Sequence, residues 1–177
     1  MSKIALITGG NRGLGRATAL ALLDAGVEVV YTHRGDPGEK IDAVPLELTV
    51  GKLETYDDFA TELRRVLRDR FGRDDFDFLV NNAGVGVHAS IADTTVEAFD
   101  ELLNVHWRGM FFLTQKLLPL IADGGRIINL STGLASVIAL GRVGEPEEIG
   151  GVIAALLGDG TGWINGQRIE ASGGMRL

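Results

Sequence analysis

The feature that most constrains this chain is a glycine-rich turn close to its N-terminus, Thr8-Gly9-Gly10-Asn11-Arg12-Gly13-Leu14-Gly15. It follows a short apolar run, Lys3 to Ile7, which reads as a buried strand. It precedes apolar residues at Leu14, Ala17, Ala21 and Ala25, which is helical spacing, with Gly26 as a C-terminal stop. A strand, a glycine turn and a helix in that order let the backbone come close to a pyrophosphate. The helix N-terminus then presents free N–H groups and the positive end of its dipole. The same glycines also suit a purely structural turn.

The rest of the chain continues the alternation. Strands are expected at Val27 to Thr32, Val44 to Leu48 (weakened by Pro45), Phe76 to Val80, Arg126 to Leu130 and Arg168 to Ala171. Helices are expected at Tyr56 to Phe71 through Phe59, Leu63, Val66, Leu67 and Phe71, and from a Thr94/Glu97 capping box to about Ile121. A further helix opens at Pro146 and ends near Gly158. Strand alternating with helix predicts an α/β fold, a doubly wound parallel sheet in a Rossmann-type three-layer sandwich. With no linker or repeat, the 177 residues read as one domain.

Composition narrows the partners. A net charge of -7 leaves no basic surplus for nucleic acid or an anionic membrane. No apolar stretch has the length of a membrane span, and no signal peptide is read at the N-terminus. The absence of cysteine excludes disulfides and thiolate zinc sites, no metal site is expected, and a cytoplasmic setting is.

The TGxxxGxG spacing of the turn, Asn81-Asn82-Ala83-Gly84 directly after a strand, and the tail from Gly141-Arg142-Val143-Gly144-Glu145-Pro146 through Asn165-Gly166-Gln167 to Ser172-Gly173-Gly174 resemble the short-chain dehydrogenase/reductase family. Within it the chain looks like the 3-oxoacyl-ACP reductase-like and carbonyl-reductase-like members. The resemblance implies a dinucleotide held by Thr8, Gly9, Asn11, Arg12, Gly13, Leu14 and Gly15 in the turn. It adds Glu47 and Leu48 beside the adenine, and Asn82, Ala83 and Gly84 beyond the fourth strand. It implies hydride transfer between a nicotinamide and a small-molecule carbonyl or alcohol, by a homo-oligomer.

Charge bears on which dinucleotide. An NAD enzyme places Asp or Glu about 20 residues beyond the turn, to bind the ribose 2′-hydroxyl. His33 stands there instead, Arg34 follows it, and Arg12 lies in the turn. Guanidinium groups pair bidentately with phosphate, so NADP(H) is favoured over NAD(H). The competing reading makes Arg12 and Arg34 solvated surface residues.

The resemblance also implies a hydroxyl that polarises the carbonyl, at Thr132 with Ser131 as its neighbour, and a relay group at His106. Asn104 lies two residues earlier, about 200° round a helix, so the two cannot both face the site. His88 is read as a plain loop residue. The family's Tyr and Lys fall on Glu145 and Ile149, and no Tyr-x-x-x-Lys occurs in the chain. Family members run to about 250 residues, a size common for one α/β domain. The shortfall of about 70 falls near residues 134–136, and takes with it the Tyr/Lys helix, one strand and the substrate lid. Two readings therefore stand: a reductase of this family, or an NADP(H)-binding pseudoenzyme or truncated fragment without the chemistry.

Overall fold

A computed structural model describes residues 2–87, 89–131 and 142–173. Five parallel strands form one sheet: β1 (Ile4–Ile7), β2 (Glu28–His33), β3 (Val44–Glu47), β4 (Phe76–Asn81) and β5 (Ile121–Asn129), in the order β3-β2-β1-β4-β5. The helices are α1 (Gly13–Asp24), α2 (Tyr56–Phe71), α3 (Val96–Leu103), α4 (Met110–Leu117) and α5 (Pro146–Leu157). β1 and β4 are buried at every position, so β1 reads as an unbroken apolar run, and β4 as an apolar run apart from Asp77 and Asn81.

Successive side chains of a strand leave by opposite faces, and this sorts the core in two. Ile4 and Leu6 meet Phe59, Leu63 and Leu67 of α2 with Leu113 and Leu117 of α4. Ala5 and Ile7 meet Ala19 and Leu22 of α1 with Ile153 and Leu157 of α5. The result is the expected three-layer, doubly wound sandwich. β2 and β3 extend the sheet to one side of β1, while β4 and β5 extend it to the other. The strand order therefore reverses between β1 and β4, and a crevice opens beyond their C-terminal ends.

Four expectations are corrected. The helix cap is Thr95, whose hydroxyl accepts from Ala98 N at 3.2 Å. Thr94 instead closes the preceding turn, its hydroxyl donating to Ser90 O at 2.8 Å. The helix that follows is not uniform: a π turn, Asn104–Gly109, separates α3 from α4, and a 3-10 turn, Leu118–Leu120, ends it. β5 begins at Ile121, five residues before the expected start. Arg168 to Ala171 forms no strand and is exposed. The neighbour such a strand needs is not among the described residues, and it does not pair with β5 in its place. Pro45 stays in a strand because β3 is at the sheet edge.

Arg126 of β5 ties α5 to the sheet. Its Nη1 donates to Leu156 O at 3.0 Å, Gly158 O at 2.8 Å and Thr161 Oγ1 at 2.9 Å, closing carbonyls that a helix end leaves open. On the other side of β5, large apolar residues of α3, the π turn and α4 face solvent, among them Phe99 at 53%, Trp107 at 75% and Phe111 at 57% exposure.

Candidate active site

The glycine turn is built around Thr8 and Asn82. Thr8 Oγ1 accepts from Asn82 N at 2.9 Å and Ala83 N at 3.0 Å, which joins the end of β1 to the end of β4. The Asn82 amide donates to Thr8 O at 2.8 Å and Gly9 O at 3.0 Å. From the other side, Thr32 Oγ1 accepts from Gly9 N at 3.1 Å. Two glycines are required by contact: a Cβ at Gly15 would lie 2.2 Å from Gly9 O, and one at Gly10 would lie 2.5 Å from Tyr31 Cβ. Gly13 is required by its φ of 53°, and the space where its Cβ would stand is open. The first turn of α1 leaves the N–H groups of Gly13, Leu14 and Gly15 without intrahelical partners. A close-packed cradle, an open space and free N–H groups fit a dinucleotide pyrophosphate.

His33, Arg34 and Arg12 lie beside this cradle. Asn11 Nδ2 donates to Asp36 O at 3.1 Å, tying the turn to the loop after β2. Arg12 is the N-cap of α1 and exposed, as is Arg34. Among the described residues neither forms an ion pair, whereas Arg16 is paired with Glu39 at 2.9 Å. His33 Nδ1 is shielded from solvent and has no hydrogen-bond partner among the described residues. Glu47 is exposed and in register with His33, and Leu48 N donates to His33 O at 2.9 Å. The Leu48 side chain is in the core, so only its backbone is placed at the crevice.

The described catalytic candidates lie in two places, the π turn and the segment beyond β5. His106, in the π turn, reaches the loop after β4, its Nε2 lying 2.6 Å from Val85 O and 3.3 Å from Val85 N. The shorter contact assigns the hydrogen to Nε2, which donates to the carbonyl. The ring also fills the place a Cβ on Gly84 would take, 2.7 Å from His106 Cε1. Asn104 is turned to a different partner, its Nδ2 donating to Gly51 O at 3.2 Å. Ser131 is exposed beyond the end of β5. Thr132 and His88 lie outside the described residues. A narrow cleft lined by Thr8, Val50, Asn81, Ala83, His106, Met110 and Leu130 joins the turn to the π turn.

Neither tyrosine can serve as the proton donor. Tyr31 and Tyr56 are 3% and 2% exposed, and burial, the largest influence on each, raises their pKa above the ordinary value. A general acid near neutral pH needs the opposite shift. Tyr31 donates to Pro37 O at 3.1 Å and Tyr56 to Gly109 O at 3.0 Å.

Sequence reasoning missed two residues. Thr32 carries no local signal of its contact with Gly9. The Asn81 side chain bridges Thr114 Oγ1 at 3.1 Å and Asn129 Oδ1 at 2.8 Å, linking β4 to α4 and β5; its place before Asn82 in the doublet was the available signal. A larger hollow of about 500 Å³ at the N-terminal ends of β1 and β4, lined by Lys3, Arg73, Asp74, Asp75 and Asp77, has a structural explanation. Its buried carboxylate, Asp77, is satisfied by Ile4 N, Lys3 and Arg73.

Residues 3–142 match the family model described as short chain dehydrogenase, and the chain belongs to that family. It is similar to versicolorin reductase 1 of Aspergillus parasiticus, 34% identical over 146 residues that cover 76% of this chain and 53% of that protein. The chain thus spans about half the length of that relative. It is also similar to an acetoacetyl-CoA reductase of Rhizobium meliloti, 27% identical over 241 positions that take in 98% of each protein. An alignment of that length over 177 residues leaves about 70 positions of the relative without a counterpart, between ends that both align. Among solved structures, the landomycin C-6 ketoreductase LanV with bound NADP and rabelomycin superposes with a TM-score of 0.88 at 29% identity, covering 98% of this chain and 96% of that one.

Proposed function

We propose that the chain is an NADP(H)-dependent oxidoreductase acting on a small-molecule carbonyl or alcohol. The observation that carries this is the pair of exposed, unpaired guanidinium groups of Arg12 and Arg34 beside His33, next to the cradle at Thr8 to Gly15. A ribose 2′-phosphate suits two such groups, and a ribose diol does not need them. The reductase relatives and the NADP-bound ketoreductase support the reading.

In this reading Gly9, Asn11, Gly13, Leu14 and Gly15 cradle the pyrophosphate, and Arg12, His33 and Arg34 hold the 2′-phosphate. Glu47 and the Leu48 backbone border the adenine. Asn82 and Ala83, tied to Thr8, line the adenine-ribose side, and Gly84 leads on from them toward the nicotinamide. The bound nicotinamide supplies or accepts the hydride. Thr132, with Ser131 beside it, orients the substrate oxygen. His106 lines the approach and can pass a proton. The Tyr-x-x-x-Lys pair that would donate and tune that proton is not in this sequence, so turnover requires the segment of about 70 residues that the family resemblance puts near residues 134–136. The reading includes a cytoplasmic homo-oligomer, supported by the apolar side chains exposed on α3 and α4.

Intact mass, NADPH fluorescence titration and carbonyl-dependent NADPH oxidation test this together. A protein of 18.9 kDa is expected to bind NADPH without oxidising it. A protein of about 26 kDa, the mass of a family-length chain, is expected to do both. Failure of either to bind NADPH overturns the reading. Turnover by the 18.9 kDa protein refutes the need for the tyrosine and lysine.

A further inference from the structure

Gly51, in the loop after β3, is gripped by two side chains. Its N–H donates to Tyr56 Oη at 3.0 Å, and its carbonyl accepts from Asn104 Nδ2 at 3.2 Å. Tyr56 Oη donates onward to Gly109 O at 3.0 Å. Asn104 and Gly109 are the first and last residues of the π turn, so one loop glycine is linked to both of its ends. The approach is tight. A Cβ on Gly109 would lie 2.7 Å from Gly51 N, and Gly51 has a φ of 106°, which a side chain opposes. Between the two linked ends lies His106, in contact with Val85.

A π turn holds one residue more than the α-helical register and persists where its surroundings maintain it. Here the Tyr56 hydroxyl binds the carbonyl of the last residue of the turn. We propose that Tyr56 is a positioning residue: by bridging Gly51 and Gly109 it keeps the π turn formed and so aims His106 at the Gly84–Val85 segment of the cofactor site. The cofactor readout rests on the NADP(H) reading above, and the His106 readout does not.

Tyr56→Phe keeps the ring in the core and removes the bridge. Three measurements apply: the His106 ring resonances by proton–nitrogen NMR, assigned among the three histidines with His106→Gln, and the affinities for NADPH and for adenosine 2′,5′-bisphosphate. The His106 resonances are expected to move. NADPH affinity is expected to fall about three- to ten-fold, the worth of one hydrogen bond, with the bisphosphate affinity held. Unmoved His106 resonances overturn the proposal, as does an equal loss for both ligands, which would mark the hydroxyl as a general packing element. If the unmodified protein binds neither ligand, the cofactor reading fails, while the His106 resonances still decide the proposal. If Tyr56→Phe does not fold, Asn104→Ala releases the other grip on Gly51, and unmoved His106 resonances in that variant overturn the proposal.

Discussion

The amide of Asn82 donates to the Gly9 carbonyl at 3.0 Å, and position 15 faces both: a Cβ there would lie 2.2 Å from Gly9 O and 2.5 Å from Asn82 Nδ2. The turn after β1, the first turn of α1 that follows it and the end of the distant β4 meet at one point with no spare volume. Gly15→Ala is therefore expected to cost about 1–3 kcal/mol, the usual penalty of overpacking. It should also abolish NADPH binding, because the cradle itself must move. Chemical denaturation and fluorescence titration check this. Unchanged stability would refute the contact argument.

Arg34→Asp tests the charge argument. With a carboxylate in place of the guanidinium, the ratio of NADPH to NADH affinity is expected to fall about ten-fold or more, as a charge-assisted pair becomes a repulsion. An unchanged ratio removes Arg34 from the 2′-phosphate site.

Asp77 links β4 to β1 at the N-terminal ends of these strands, away from the glycine turn. Burial, the largest single influence, raises its pKa; the Ile4 N–H, Lys3 and the Arg73 charge together outweigh burial and hold it below the ordinary value. A depressed carboxylate contributes stability above its unfolded pKa of about 3.9 and loses it as the pH falls through the folded value. Acid denaturation is thus expected to steepen below about pH 4. In Asp77→Asn that component should vanish, with a loss of about 1.5–3 kcal/mol at neutral pH from the weakened charge-assisted hydrogen bonds to Ile4 N, Lys3 and Arg73. A variant with unaltered acid sensitivity would show that Asp77 is not the group responsible.

The exposed Phe99, Leu103, Trp107 and Phe111 recur at spacings of four along α3, the π turn and α4. Such a stripe drives association. Sedimentation velocity is expected to find species larger than a monomer, and Trp107→Glu is expected to shift them toward the monomer. A monomer before the substitution would contradict the homo-oligomer reading.

The fold was legible where the local signals agreed. Gly26 ends α1, α2 spans the residues that its apolar period marks, and Pro146 opens α5. The glycine turn was legible because its spacing encodes close contact. What escaped depended on distant partners. The π turn is held by Gly51 and Tyr56 from another part of the chain, and no periodicity within Asn104–Gly109 records that. Arg168 to Ala171 has the composition of a strand and lacks the neighbour that would make it one. His106 was placed by resemblance, and the same resemblance left Asn104 beside it until the hydrogen bond to Gly51 separated them.

Arg126 gives the open side of the sheet a further meaning. It binds the C-terminal end of α5 and Thr161, while residues 165–171 make no backbone hydrogen bond to the sheet among the described residues. The cooperative unit therefore closes near Thr161. Amides of β1 and β4 are expected to exchange with solvent only when the whole sheet opens, whereas those of residues 165–171 are expected to exchange far faster. The boundary of what unfolds together is set by one guanidinium group on β5, well before the end of the chain.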